Sequence, residues 1–255
     1  MIKYLLLIWL LFTRPSWFWH WTWFSPYNPA NFGNRHKSKV GEYMQHELPL
    51  VNVIQKSCVV NSIEVNLLIN KLEKGLGSAK TKDSVIPTNF NASKELAQLC
   101  YSLVRFTKPS IVVETGVGQG LTTAYILQAM EENKRGHLYS FDLPILRPRS
   151  KQDIGMLVSD SLRSRWSLIF DPGCRGMKKL QKSIKNIDMF VHDSDHSYRN
   201  QFSEYQIALS WLRKGGIMIS DDISNNALLD IKEGFSGDLM VTKQAKSSYI
   251  GVILK

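Results

Sequence analysis

The spacing of apolar positions changes twice along the chain. From Val51 to Lys74 the residues Ile54, Cys58, Ile63, Leu67, Leu68 and Leu72 recur at helical spacing, and Gly75 with Gly77 supplies a stop. Pro87 marks a break, and Ser93 caps a helix running through Leu96, Leu99, Cys100 and Leu103 to Phe106, ended by Pro109. The pattern then turns to short β-branched runs. Ile111-Val112-Val113 predicts a buried parallel strand closed by Glu114, followed by a glycine turn and a helix from Leu121 to about Met130. Further strands are predicted at Gly136–Asp142, Trp166–Phe170, Ile187–Val191 and Ile217–Ser220. Helices are predicted at Asp160–Arg165, Gly176–Lys185 and Gln201–Leu212. Strands alternating with helices indicate an α/β fold, a doubly wound, Rossmann-like sheet that is mostly parallel with helices on both faces. The end differs: Leu239–Lys243 and Tyr249–Leu254 read as two strands with a short polar connection, which predicts an antiparallel edge.

The first 40 residues follow neither pattern. An apolar run from Tyr4 to Phe12 is too short to span a bilayer as a helix, and no small-residue cleavage site follows it. Instead the chain continues into Trp17-Phe18-Trp19-His20-Trp21-Thr22-Trp23-Phe24, a density of aromatics that suits a membrane interface. Residues 1–24 therefore read as an interfacial anchor, with a signal peptide, a re-entrant segment or an aromatic flap on the main domain as alternatives. Ser25 to Lys39 reads as linker. This divides the chain into an extension and linker (1–40), a helical lead-in (41–84) and an α/β domain (85–255).

The net charge is +10, shared evenly between residues 1–84 and the rest. Such an excess favours a basic soluble surface or an anionic partner such as a membrane. No zinc-finger, helix-turn-helix or RNA-recognition signature supports nucleic acid. Lys178, Lys179, Lys182 and Lys185 read as one solvated helix face, and Arg147 with Arg149 as loop arginines able to read a phosphate or carboxylate. Cys58, Cys100 and Cys174 lie far apart, which argues against a zinc site or disulfide framework and suits a reducing, cytoplasmic compartment.

The chemistry gathers at predicted strand ends. Gly116, Gly118 and Gly120 place bare backbone between a strand and a helix N-terminus, where a nucleotide-type ligand can approach. Asp142, at the end of the second strand, can accept hydrogen bonds from ribose hydroxyls. After the fourth strand comes His192-Asp193-Ser194-Asp195-His196, and after the fifth Asp221-Asp222. Four carboxylates in one crevice call for an offsetting cation or proton, and hard oxygen ligands at that density suit Mg²⁺. The alternative is helix-capping and loop aspartates. His192 reads as packed behind the site.

These residues together resemble class I S-adenosylmethionine-dependent methyltransferases: Glu114-Thr-Gly116-Val-Gly118-Gln-Gly120, Asp142, Asp188 to Tyr198, and Gly215-Gly216 to Asp221-Asp222. Within that superfamily they are similar to the branch of macrocin-type and related sugar O-methyltransferases. The resemblance covers about residues 85–255. It implies a seven-stranded sheet whose last strand is antiparallel, with Glu114, Gly116, Gly118 and Gly120 on the methionine part of S-adenosylmethionine. Asp142 would take the ribose, and Asp171 with its neighbours would lie near the adenine. In metal-dependent members the matching acids, here Asp193, Asp221 and Asp222, ligate Mg²⁺, and the base falls at Asp195 or His196. The expected reaction is O-methylation of a small-molecule or glycan acceptor, with a homo-oligomer left open. The alternatives are a membrane-tethered binding protein on the same fold and an NAD-dependent oxidoreductase, the latter disfavoured by the glycine spacing.

Overall fold

The computed structural model describes residues 41, 43, 45–58, 60, 63–67, 70, 84–86, 92–144, 150–244 and 248–255. The aromatic extension and its linker, Gly75, Gly77, Pro87, Arg147 and Arg149 lie outside the described residues. Among the described residues, no helix is long and apolar enough to cross a membrane.

The elements are, in chain order, α1 (Leu50–Cys58), α2 (Lys94–Thr107), β1 (Ile111–Thr115), α3 (Leu121–Asn133), β2 (His137–Phe141) and the short α4 (Ser150–Asp153). A 3₁₀ turn at Asp160–Arg165 then leads into β3 (Trp166–Ile169), α5 (Gly173–Leu180), β4 (Ile187–His192) and α6 (Tyr198–Trp211). Last come β5 (Leu212–Ser220), α7 (Ala227–Glu233), β6 (Asp238–Lys243) and β7 (Tyr249–Leu254). The strands form one seven-stranded sheet in the order β3-β2-β1-β4-β5-β7-β6. Pairings from β3 to β5 are parallel, and β7 runs antiparallel to both neighbours.

Successive strand residues face opposite sides, so each apolar run feeds two cores. Val112, Met189, Val191, Ile217 and Ile219 pack with α2 and α3 on one face. Val113, Phe190 and Met218 pack with α6 and α7 on the other. The predicted cap of α2 is present: Ser93 is its N-cap, and its hydroxyl accepts from the Leu96 amide at 3.0 Å.

Several boundaries differ from the sequence reading, each for a local reason. Glu114 lies inside β1, because its backbone pairs with Ser140 and Val191 on the two flanking strands. Helix α5 starts at Gly173 after Pro172 and ends at Leu180. Beyond it, the Ile184 carbonyl is taken by the Trp211 indole at 2.9 Å. Strand β5 begins five residues early, with Gly215 (φ 72°) inside it and a register irregularity opposite Ile187–Met189. Helix α7 was not foreseen, although Ala227, Leu228, Leu229 and Ile231 are all buried. Nor was the docking of the lead-in, where Glu47 bridges to Val241 on the β6 edge.

Candidate active site

The strand order reverses between β1 and β4, since the connection after β1 runs one way to β2 and β3 while β4 and β5 continue on the other side. A crevice opens at the carboxyl ends of strands at such a point. The glycine turn and both acid loops leave the sheet there, from β1, β4 and β5.

Gly116, Gly118 and Gly120 all have positive φ (84°, 54° and 93°), a region closed to most side chains. The contact beside Gly116 is closer still: a Cβ there would sit 2.0 Å from the Asp193 carbonyl oxygen. The glycine turn and the acid loop thus touch through bare backbone. A Cβ at Gly120 would meet the Gly155 Cα at 2.8 Å. The segment after α4 closes over the turn there, with Gly155 and Leu157 amides donating to the Gly118 and Gln119 carbonyls at 3.0 and 2.9 Å.

Asp142 lies just past β2 and faces the same turn. Its Oδ2 accepts from the Val117 and Gly118 amides, each at 2.9 Å, and its Oδ1 from Leu143 at 2.6 Å. Burial raises its pKa to about 6 against the pull of those amides. Glu114 is fully buried beneath the turn, where Oε2 accepts from Thr123 at 2.8 Å and Ser140 at 2.6 Å. Desolvation pushes its pKa to about 8, so it is neutral at pH 7. Asp171, after β3, is engaged by Lys179 at 2.6 Å, with Arg175 at 3.7 Å. Lys179 thus pairs with Asp171 while its side chain stays exposed on the solvated face.

The acid loops converge on His196. Its Nε2 lies 3.6 Å from Asp193 Oδ1 and 4.0 Å from Asp221 Oδ2, and its Nδ1 lies 3.4 Å from Asp222 Oδ2. Burial alone would lower the imidazole pKa, but the surrounding carboxylates of Asp193, Asp222 and Asp221 outweigh it and bring it to about 10. An imidazolium at this position offsets part of the charge of the clustered carboxylates. Asp221 is raised to about 7, first by desolvation and then by Asp193. Its Oδ1 accepts from Gln244 at 2.6 Å. Asp222 occupies the left-handed region (φ 44°), one that aspartate tolerates better than most residues.

Asp195 stands apart from this cluster. Its Oδ1 accepts from the Ser197 amide at 2.9 Å at the start of α6, and burial raises its pKa. His192 is fully buried and held well below the usual imidazole range by desolvation, matching the reading of a packed residue.

A family model described as a methyltransferase domain matches residues 113–223, from β1 to just beyond the second acid loop. The match takes in the glycine turn, Asp142 and both acid loops. The same fold occurs in an O-methyltransferase of Bacillus cereus solved in complex with SAH. It is 12% identical, with a TM-score of 0.54 over 80% of this chain and 96% of that one. It occurs again in TomG, an O-methyltransferase of Streptomyces achromogenes involved in tomaymycin synthesis and solved in complex with SAM. That protein is 11% identical, with a TM-score of 0.56 over 87% of this chain and 98% of that one. No curated protein matches the sequence.

The acid loops offer donors for a divalent cation. One ligand atom from each of Asp193, His196 and Asp221 lies within 4.8 Å of the others. His196 Nε2, buried among them, has no hydrogen-bond partner among the described residues. The carboxylate oxygens suit Mg²⁺ or Mn²⁺, whereas an imidazole ligand suits Zn²⁺ or Fe²⁺, so for Mg²⁺ His196 fits as a neighbour of the ion and not as its ligand.

Sequence reasoning missed the polar layer underneath. Glu204 of α6 is buried, and its Oε2 accepts from Thr115 Oγ1 at 2.6 Å and Ser194 Oγ at 3.0 Å. Gln244, Gln201 and Asn225 complete the layer: Gln201 Nε2 reaches the Asp221 carbonyl at 3.4 Å, and Asn225 Nδ2 donates to the His196 carbonyl at 2.9 Å. The available signal was a glutamate on the apolar face of a predicted helix, where an uncompensated charge would be costly.

Proposed function

We propose that the protein is a methyltransferase that moves the methyl group of S-adenosylmethionine to a hydroxyl oxygen on a small molecule or sugar, assisted by a divalent cation. The observation that carries this reading is the contact of Gly116 with the Asp193 backbone. It sets a turn suited to a nucleotide-type donor directly beside a cluster suited to activating a hydroxyl.

In this reading the glycine turn admits the methionine part of the donor, and Asp142 accepts from the ribose hydroxyls. The loop from Phe170 to Asp171 lies by the adenine. Glu114, neutral and buried, shapes the turn from below. Asp193, Asp221 and Asp222 would hold the cation, which would lower the pKa of an acceptor hydroxyl and offset the acid charge that keeps His196 protonated. His196 or Asp195 takes the hydroxyl proton as the oxygen–carbon bond forms and the carbon–sulfur bond breaks. Alignment of donor and acceptor supplies the remainder of the rate, the donor itself carrying the reactivity. Residues 1–24 would hold the enzyme at a membrane surface through their aromatic side chains.

The test is a cell-extract screen with methyl-labelled S-adenosylmethionine, run with Mg²⁺ and with a chelator. The expected result is a labelled small molecule that disappears in chelator and with Asp193→Ala. Labelling that persists undiminished in chelator contradicts the metal assignment, and absence of any labelled product contradicts the reaction.

A further inference from the structure

We propose that Glu204 is a positioning residue that braces the glycine turn against the acid loop, so that binding at the donor half sets the geometry of the acceptor half. The inference rests on the donor reading above and assigns a role to a residue that touches neither substrate.

Two hydroxyls, those of Thr115 and Ser194, connect the halves. Thr115 immediately precedes Gly116, and Ser194 immediately follows Asp193, so they flank the closest backbone approach in the site. A Cβ on Gly116 would lie 2.0 Å from the Asp193 carbonyl oxygen and 2.7 Å from the Ser194 nitrogen. Above the sheet the halves meet through backbone. Below, they meet through one carboxyl oxygen, Glu204 Oε2, which accepts from Thr115 Oγ1 at 2.6 Å and Ser194 Oγ at 3.0 Å. His192 Nε2 lies 3.4 Å from the same oxygen.

A third segment leans on the same carboxyl. A Cβ at Gly173, the first residue of α5 after β3, would sit 2.1 Å from Glu204 Oε1 and 2.9 Å from the Thr115 methyl. Three strand ends of the site are therefore registered against one side chain. Helix α6 makes it rigid. Asn200, one turn before Glu204 and on the same helix face, donates to Ser194 Oγ at 3.0 Å and to the Asp195 carbonyl at 2.9 Å. Glu204 itself is 1% exposed, so no water competes for these bonds. A buried acceptor shared by two loops is costly to leave half satisfied, and that cost makes a shift of one loop felt by the other.

The experiment is amide hydrogen exchange on the full chain, with and without S-adenosylhomocysteine. Wild type is expected to gain protection at residues 115–121 and also at 192–198. Glu204→Leu, which removes the acceptor, should weaken S-adenosylhomocysteine binding by about tenfold and leave 192–198 unprotected while 115–121 still responds. Glu204→Gln keeps an acceptor oxygen and should restore the acid-loop response. Ser194→Ala cuts one arm only and should give the Glu204→Leu pattern without loss of donor affinity, and it serves if Glu204→Leu fails to fold. Acid-loop protection that survives in Ser194→Ala overturns the brace. So does a wild type whose turn is protected but whose acid loop is indifferent. A wild type with no response at 115–121 overturns the donor reading and the brace with it.

Discussion

Gly116 is the residue at which the two halves of the site come closest. Adding a methyl group there combines a positive φ with a 2.0 Å clash against backbone that cannot rotate away. Gly116→Ala should destabilise the fold by about 2 kcal/mol or more, measured by urea unfolding, and abolish detectable S-adenosylhomocysteine binding. A variant with wild-type stability and affinity would show that the turn and acid loop are not in contact. Glu114 gives a second residue-scale prediction. It keeps its proton to about pH 8 when folded, against 4.5 for the ordinary side chain. Between those values the unfolded chain binds fewer protons than the folded one, so this group lowers stability as pH rises. Glu114→Gln removes the titration. Its stability relative to wild type should climb from pH 5 to pH 8, at a limiting slope of roughly 1.4 kcal/mol per pH unit. A constant difference across that range would mean Glu114 is ionised in the fold.

At the scale of elements, the sheet was readable because buried strands announce themselves as apolar runs. Val112, Val113, Phe190, Val191, Met218 and Ile219 each lie on strands placed from such runs, and all are buried. Helix α7 was less legible because it is only seven residues long, too short for helical periodicity to stand out. The loop from β4 to α6 was legible in composition but ambiguous in role. Its two base candidates differ in place: His196 sits among three acids, whereas Asp195 binds the Ser197 amide at the helix start. Asp195→Ala should therefore lower stability by about 1 kcal/mol, as loss of one hydrogen bond does, and change S-adenosylhomocysteine affinity less than twofold. The check is thermal unfolding beside calorimetric titration. Unchanged stability together with lost labelling would instead make Asp195 the base.

At the scale of the whole molecule, what the sequence displayed least was the connection between distant segments. Nothing in the local pattern around Glu204 says that Thr115, 89 positions earlier, donates to it. Likewise Tyr43, in the lead-in, is fully buried and donates to the Asn225 carbonyl at 2.8 Å, just beyond the second acid loop. Such pairings exist only once the strand order brings β1, β4 and β5 side by side, which chain order does not state. The candidate site residues stand out in the sequence because they follow predicted strands, most of them beside glycine or another acid. Calorimetric titration of the full chain with S-adenosylmethionine, beside a matched titration with NAD, tests the central claim most directly. The account predicts saturable one-to-one binding of S-adenosylmethionine and no heat from NAD. Absence of heat from S-adenosylmethionine, or saturable binding of NAD in its place, would contradict it.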